Sequence, residues 1–331
     1  MCEIIDFLRS PLVQVLALVG IVFLLTVLSL LRFYAYLTCG RCTSRSTMDG
    51  KTVLITGANS GIGKETALDL AKRGARVIMA CRNYSTGKEA RDEIAVKSGN
   101  SNVVVMKLDL SSQKSIREFV AEFLRNERKL HVLIHNAGTA ETRIQITEDG
   151  FEKTMATNQF GPFLLTHLLI DLLKSTGNAR IVVVASELYR LANINLDNIN
   201  PTNSFAIYLY YVSKYANIYF TKELARRLQG TTVTANCLHP GMIDSGIWRN
   251  VPIPLNWLLA FVIKGFFKTP LQGAQTSIHL AVSDDVDKVT GKYFMDCKEC
   301  GLSSGASDMA KAKKYWELTE QLVLKPNDPR I

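Results

Sequence analysis

The sequence has no dense run of Lys or Arg, no internal repeat and no low-complexity tract. The formal net charge is +9, yet the basic residues are scattered. A solvated basic surface is therefore the reading, and nucleic-acid binding is not expected. Disulfide scaffolding is also unexpected, because the cysteines number seven, an odd count. Two pairs, Cys39 with Cys42 and Cys297 with Cys300, have metal-like spacing. They stand at opposite ends of the chain without a histidine, so no metal site is expected. Cys39 and Cys42 are free thiols or, beside an apolar run, acylation sites. Charged residues make up 21% and hydrophobic residues 47%, a globular balance. With 331 residues the chain has room for one large α/β domain or two small ones.

Charge is absent altogether from Leu12 to Leu31, a 20-residue apolar run. As a helix it spans about 30 Å, the thickness of a bilayer core. Arg9 and Arg32 bracket it, and Phe33, Tyr34 and Tyr36 suit the interface. A cleaved signal peptide is the rival, but its apolar core runs to only about 7–15 residues before a small-residue cleavage site. An uncleaved single-pass anchor over residues 1–32 is expected. Arg32, Arg41, Arg45 and Lys51 follow the span, which by the positive-inside rule puts the remainder in the cytosol. Residues 33–50 read as a polar connector.

The next segment changes character. Thr52–Thr56 is a short β-branched run that reads as a buried strand. The turn Gly57-Ala58-Asn59-Ser60-Gly61-Ile62-Gly63 follows, and Lys64 to Arg73 reads as a helix. Strand, glycine turn and helix in succession suit a pyrophosphate: backbone can approach it closely, and the helix start offers free N–H groups. A second strand, Ala75 to Cys81, ends on Arg82. An acidic residue there would favour the ribose of NAD. A guanidinium instead favours a 2′-phosphate and hence NADP(H), the alternative being an Arg that caps a surface loop. Further strands are expected at Val103–Leu108, Val132–His135, Ile181–Ala185, Val233–Cys237 and Gly291–Met295, with helical patterns between them. This alternation predicts a single α/β domain over residues 51–300. Its doubly wound, Rossmann-type parallel sheet has about seven strands, with ligands beyond the strand C-terminal ends. Residues 301–331 read as a helical tail.

Three groups stand where that rule places chemistry. Ser186 follows the fifth strand, Asn158 lies in a helical stretch, and Tyr210 stands four residues before Lys214, on the same helical face. A tyrosine titrates near about 10; a neighbouring ammonium lowers that value and makes the phenol a usable acid/base. A serine hydroxyl can hold the substrate oxygen still.

With these spacings the chain resembles the short-chain dehydrogenase/reductase family over about residues 50–300. The resemblance rests on the glycine turn from Thr56 to Gly63, on Asp109, on Asn136-Ala137-Gly138, on Asn158, Ser186, Tyr210 and Lys214, and on Pro240-Gly241 with Ser245. His135 departs from the usual asparagine. The resemblance implies that Tyr210 is the general acid/base. It also implies that Lys214 lowers its pKa and binds the nicotinamide ribose, that Ser186 orients the substrate oxygen, and that Asn158 holds a relay water. Gly57, Asn59, Ser60, Gly61, Ile62, Gly63, Arg82, Asp109, Leu110, Asn136, Ala137, Gly138, Pro240, Gly241 and Ser245, with Tyr210 and Lys214, would line the cofactor. Stretches such as Ala80-Cys81-Arg82 and Leu238-His239-Pro240-Gly241 are similar to the NADP(H)-dependent microsomal retinol dehydrogenases. That likeness implies an endoplasmic-reticulum membrane enzyme on apolar substrates, retinal and retinol first, with a homodimer as one assembly.

Two departures bear on the substrate: Gln159 replaces a histidine common in that subgroup, and Leu188 to Leu209 diverges. Val251 to Phe267, rich in Trp, Phe and Leu, reads as core packing or as an apolar lid near residues 242–270 that also touches the bilayer. Two further functions compete. One is a reductase of steroids or other lipid aldehydes. The other is a non-catalytic NADPH-binding sensor or scaffold, which has no need of the full acid/base set.

Overall fold

The structure, a computed structural model, describes residues 10–243 and 267–331. Ser245 and residues 251–266 of the expected lid lie outside the described residues. Helix α1 (Pro11–Thr38) opens the chain with proline in its first turn. Its Pro11–Leu30 stretch is long and apolar enough to cross a membrane, and none of it is buried against the domain. The α/β order then follows: β1 (Thr52–Thr56), α2 (Gly61–Lys72), β2 (Arg76–Cys81), α3 (Tyr84–Ser98), β3 (Val103–Lys107), α4 (Gln113–Asn126) and β4 (Val132–His135). After these come α5 (Lys153–Met155), α6 (Gly161–Thr176), β5 (Arg180–Val184), α7 (Ala206–Arg227), β6 (Thr234–His239) and α8 (Pro270–Val282). The hairpin β7 (Tyr293–Met295) and β8 (Lys298–Cys300) and the helices α9 (Ser304–Ser307) and α10 (Met309–Val323) complete it.

The strands form one sheet in the order β3-β2-β1-β4-β5-β6-β7-β8. Every pairing is parallel except β7 with β8. The sheet has eight strands against about seven expected. The extra one is a three-residue antiparallel edge, Lys-Glu-Cys, with neither apolar content nor alternation to announce it. Helices cover both faces, so strand side chains alternate between two cores. Leu54 and Ile78 join a cluster with α4, α6, α7 and α10; Val53, Ile55, Val77 and Met79 join one with α2, α3 and α8. The C-terminal helix belongs to the first core, since Trp316 of α10 stacks on Phe220 of α7 with ring centroids 5.7 Å apart.

Strand order reverses direction between β1 and β4. Connections from their C-terminal ends leave in opposite directions, which opens a crevice there. Thr56 closes β1 at this point, and its Oγ1 accepts the backbone N–H of both Asn136 and Ala137, each at 3.0 Å.

Candidate active site

The glycine turn sits on one lip of that crevice. Gly57 has φ 67°, and a Cβ there would lie 2.9 Å from the Cα of Ala137. At Gly63 a Cβ would lie 2.4 Å from both Asn136 Nδ2 and the Gly57 carbonyl oxygen. These glycines let helix α2 close against the strand ends. Gly61 differs, because a Cβ there would meet nothing within 4 Å. Ser60 precedes α2 without a side-chain capping bond, so the first N–H groups of the helix face an open concavity. Asn59 donates to Thr86 Oγ1 at 3.2 Å, which ties the turn to α3. Ile62 is half-buried. A dinucleotide pyrophosphate fits this lip.

On the other lip, Asn136 Nδ2 donates to the carbonyl oxygens of Thr56 and Gly57 at 3.0 and 3.2 Å. Gly138 follows against the catalytic side chains: a Cβ there would stand in ordinary contact, 3.4 Å from Lys214 Nζ and 3.5 Å from Asn158 Oδ1. Arg82 is exposed just beyond β2 and makes no ion pair among the described residues. Beyond β3, Asp109 Oδ1 accepts from the Ser111 N–H and hydroxyl at 2.9 and 2.6 Å, and Leu110 is buried.

Asn158 lies in the segment Ala156–Phe160, where the chain widens by one residue per turn between α5 and α6. The Gly161 N–H donates to the Ala156 carbonyl, five residues back. Such π-type turns gather at functional sites. Both donors of the Asn158 amide are engaged: Nδ2 donates to the Thr139 carbonyl and to Ser213 Oγ, each at 2.9 Å, while Oδ1 accepts from the Thr139 N–H at 2.8 Å. Ser213 in turn donates to the Tyr210 carbonyl at 2.7 Å. Asn158 thus braces α7 at the turn that carries Tyr210. With both Nδ2 donors taken, a relay water at Asn158 would donate to Oδ1 or to the backbone carbonyl.

Tyr210 and Lys214 share one face of α7, both buried, with Nζ 5.6 Å from the ring centroid. Lys214 Nζ donates to the Val184 carbonyl, the last of β5, at 2.8 Å. Burial pulls its pKa down to about 8. The Tyr210 phenol moves the other way from the expected lowering. Burial pushes it up to about 12, opposed by a hydrogen bond with Ser186 and reinforced by Tyr211. Desolvation of the phenolate is the largest cause of that direction. Ser186, buried one residue after Ala185, accepts the Leu188 N–H on Oγ at 3.3 Å. Serine, tyrosine and lysine therefore meet beyond the C-terminal ends of β4 and β5.

The sequence alone assigns no role to three polar residues of this site: Thr139, Ser213 and His239. Ser213 and Thr139 stand inside or next to the motifs. His239 stands in the Leu238-His239-Pro240-Gly241 stretch, but its role is not legible there, since its partner Glu187 is 52 residues away and donates its N–H to His239 Nδ1 at 3.1 Å. Burial lowers the pKa of His239 to about 4, so the ring is neutral. Pro240 and Gly241 follow, with Gly241 (φ 97°) packed on the Lys268 side chain. Gln159 is buried, and neither of its amide atoms has a partner among the described residues. The cysteines with metal-like spacing gather no metal cluster among the described residues.

A family profile described as short chain dehydrogenase matches residues 51–254. The chain belongs to the short-chain dehydrogenase family. Among relatives of this short-chain dehydrogenase, it is 49% identical to Retinol dehydrogenase 14 of Mus musculus, over 83% of this chain and 86% of that one. It is 45% identical to Retinol dehydrogenase 12 of Mus musculus, over 90% and 93%. Among solved structures, a protein from Mycobacterium Paratuberculosis aligns with TM-score 0.68 and 31% identity over 86% of this chain and 97% of that one. A protein from Beutenbergia cavernae, named as an NAD(P) dependent gluconate 5-dehydrogenase with bound NADP, aligns with TM-score 0.61 and 25% identity over 76% and 96%. The chain is thus an oxidoreductase of a family that binds nicotinamide cofactors, and it is similar over most of its length to retinol dehydrogenases.

Proposed function

We propose that this short-chain dehydrogenase is an NADP(H)-dependent reductase of apolar carbonyl compounds, retinal first, anchored by α1 in the endoplasmic-reticulum membrane with its domain in the cytosol. The observation that carries the reading is the meeting of Ser186, Tyr210 and Lys214 at the mouth of the β1/β4 crevice. When bound, the nicotinamide supplies the hydride. The chain does the rest. Ser186 Oγ, fixed at the end of β5, donates to the carbonyl oxygen and holds it beside Tyr210. The phenol, pushed to about 12, is protonated at neutral pH, and a proton-bearing acid is what reduction requires. Its proton passes to the substrate oxygen as the hydride arrives. The Lys214 ammonium offsets the phenolate left behind, and its remaining donors are free for a ribose. Asn158, through Ser213, holds the α7 turn in register. Gly57 to Gly63 would receive the pyrophosphate, Arg82 the 2′-phosphate, Asp109 and Leu110 the adenine. Asn136 to Gly138 with Pro240, Gly241 and Ser245 would flank the nicotinamide side.

The retinoid preference comes from the names of the two relatives, and it agrees with the exposed apolar side chains of Leu191, in the turn after Ser186, and of Phe205 and Ile207, at the start of α7. NADPH consumption is measured with all-trans-retinal, a steroid ketone and a long-chain aldehyde in parallel. Retinal is expected to give the highest kcat/KM. A steroid or aldehyde that exceeds it tenfold moves the substrate class, and no turnover with any of them returns the chain to a sensor. Protease added to sealed microsomes is expected to digest the domain; full protection would place it in the lumen.

A further inference from the structure

Residues 40–48 are not the loose connector that their composition suggests. They form an extended strap laid along the domain. Burial alternates strictly: Cys42, Ser44, Ser46 and Met48 face inward, and Arg41, Thr43, Arg45 and Thr47 face out. Each inward turn is bonded. The Gly40 N–H donates to Asp296 Oδ1 at 3.1 Å and the Cys42 N–H to Gln275 Oε1 at 3.1 Å. Arg73 Nη1 donates to the Ser44 and Ser46 carbonyls at 2.9 Å, and the Met48 N–H donates to the Arg73 carbonyl at 2.7 Å.

The direction of the strap matters. Asp296 follows Met295, the last residue of β7, so it stands at the C-terminal edge of the sheet, where Ser186 and Pro240 stand. Arg73 ends α2 at the opposite edge, next to the start of β1. The strap therefore descends from the site edge to the far edge. Its upper end is only two residues from the end of α1, a reach of at most about 7 Å. Beyond Leu30, α1 continues to Thr38, about 12 Å further along its axis, which is enough to clear the headgroups and little more. A membrane entered by α1 would therefore lie on the active-site side of the sheet.

The corner that the strap reaches is dressed for that neighbour. Lys268 pairs with Asp296, and its N–H donates to the Met242 carbonyl at 2.8 Å. Around this pair Met242, Leu271 and Met295 are 61%, 55% and 36% exposed, and Arg41 and Lys298 are exposed beside them. Apolar side chains flanked by cations suit a bilayer surface.

We propose that the active-site mouth rests on the membrane, seated on Met242, Leu271 and Met295, so that substrate enters from the lipid. This rests on α1 spanning a bilayer. In the test, the full chain is reconstituted in phosphatidylcholine vesicles with a fluorescent amino acid at position 242, 271 or 96, and is quenched by nitroxide-labelled lipids. Val96 is 84% exposed on α3, near its C-terminal end at the far edge of the sheet, and serves as the reference. Quenching at 242 and 271 is expected to exceed that at 96 by fivefold or more. Equal quenching at all three positions, in protein that resists carbonate extraction, overturns the seat and leaves the anchor standing. Protein that washes off in carbonate overturns both. Leu271→Glu is expected to raise KM several-fold for vesicle-dissolved retinal and to leave KM for a short water-soluble aldehyde unchanged. An equal rise for both substrates contradicts entry from the lipid.

Discussion

His239 takes the backbone N–H of Glu187 on its Nδ1, and so the last residue of β6 holds the turn that begins at Ser186. The neighbouring strands are already locked, since the Ala185 N–H donates to the Leu238 carbonyl at 2.8 Å. Tyr293 on β7 adds a third hold by donating its hydroxyl to Glu187 Oε2 at 2.9 Å.

His239→Leu removes the acceptor and leaves the Glu187 N–H without a partner, a loss of about 1–3 kcal/mol. The effect should fall on the placement of Ser186: kcat drops about tenfold, while the affinity for NADPH is unchanged. His239→Asn restores an acceptor close to the position of Nδ1 and should recover most of the rate. Because the ring is neutral above about pH 4, the defect should not vary between pH 6 and 9. A leucine variant with wild-type kcat would show that the contact does not matter.

Arg82→Asp tests cofactor choice. One charge-assisted contact is worth about 1.5–3 kcal/mol. The KM for NADPH should therefore rise by about tenfold or more, and that for NADH should change little. Equal effects on both cofactors would assign Arg82 to the surface loop instead.

Lys214 should destabilise the fold at neutral pH. Its pKa falls from 10.5 to about 8 on burial, so between these values the unfolded chain holds more protons than the folded one. Stability then rises with pH across that window, and the full penalty, on the order of 3 kcal/mol, is present below about pH 8. Lys214→Met relieves it but forfeits the bond to the Val184 carbonyl, for a net gain of about 2 kcal/mol. The detergent-solubilised variant should melt several degrees higher than wild type at pH 7, inactive, with the gap closing toward pH 10. A lower Tm at pH 7 would mean that the ammonium is better solvated than its burial indicates.

Much of the fold is legible in the sequence because its signals are local. Thr52–Thr56 and Val132–His135 are short runs dominated by apolar and β-branched residues, and the strand bounds match. Other strands shift by a residue or two, because ladder hydrogen bonds extend wherever a neighbouring strand continues, as in β6 through His239. The Tyr210–Lys214 pair is visible from helical spacing alone. What stays hidden comes from long-range contact. The strand β8 exists because Asp296 and Cys297 adopt positive φ, 51° and 61°, without a glycine to advertise the turn. The strap over residues 40–48 looks like any polar connector until Asp296, Gln275 and Arg73 supply its partners. The direction in which the Tyr210 phenol shifts is hidden too, since a sequence shows the ammonium four residues away and not the burial around it.

The most direct test is Tyr210→Phe, assayed with NADPH and the best carbonyl substrate. The change removes one oxygen and leaves the ring packing intact. The proton donor disappears, which is worth about 10²–10⁴ in rate, while the cofactor contacts remain. Turnover should fall to background with NADPH affinity within twofold of wild type, and Tyr211→Phe should be near neutral. A Tyr210→Phe enzyme that keeps wild-type kcat would contradict the assignment of Tyr210 as the acid.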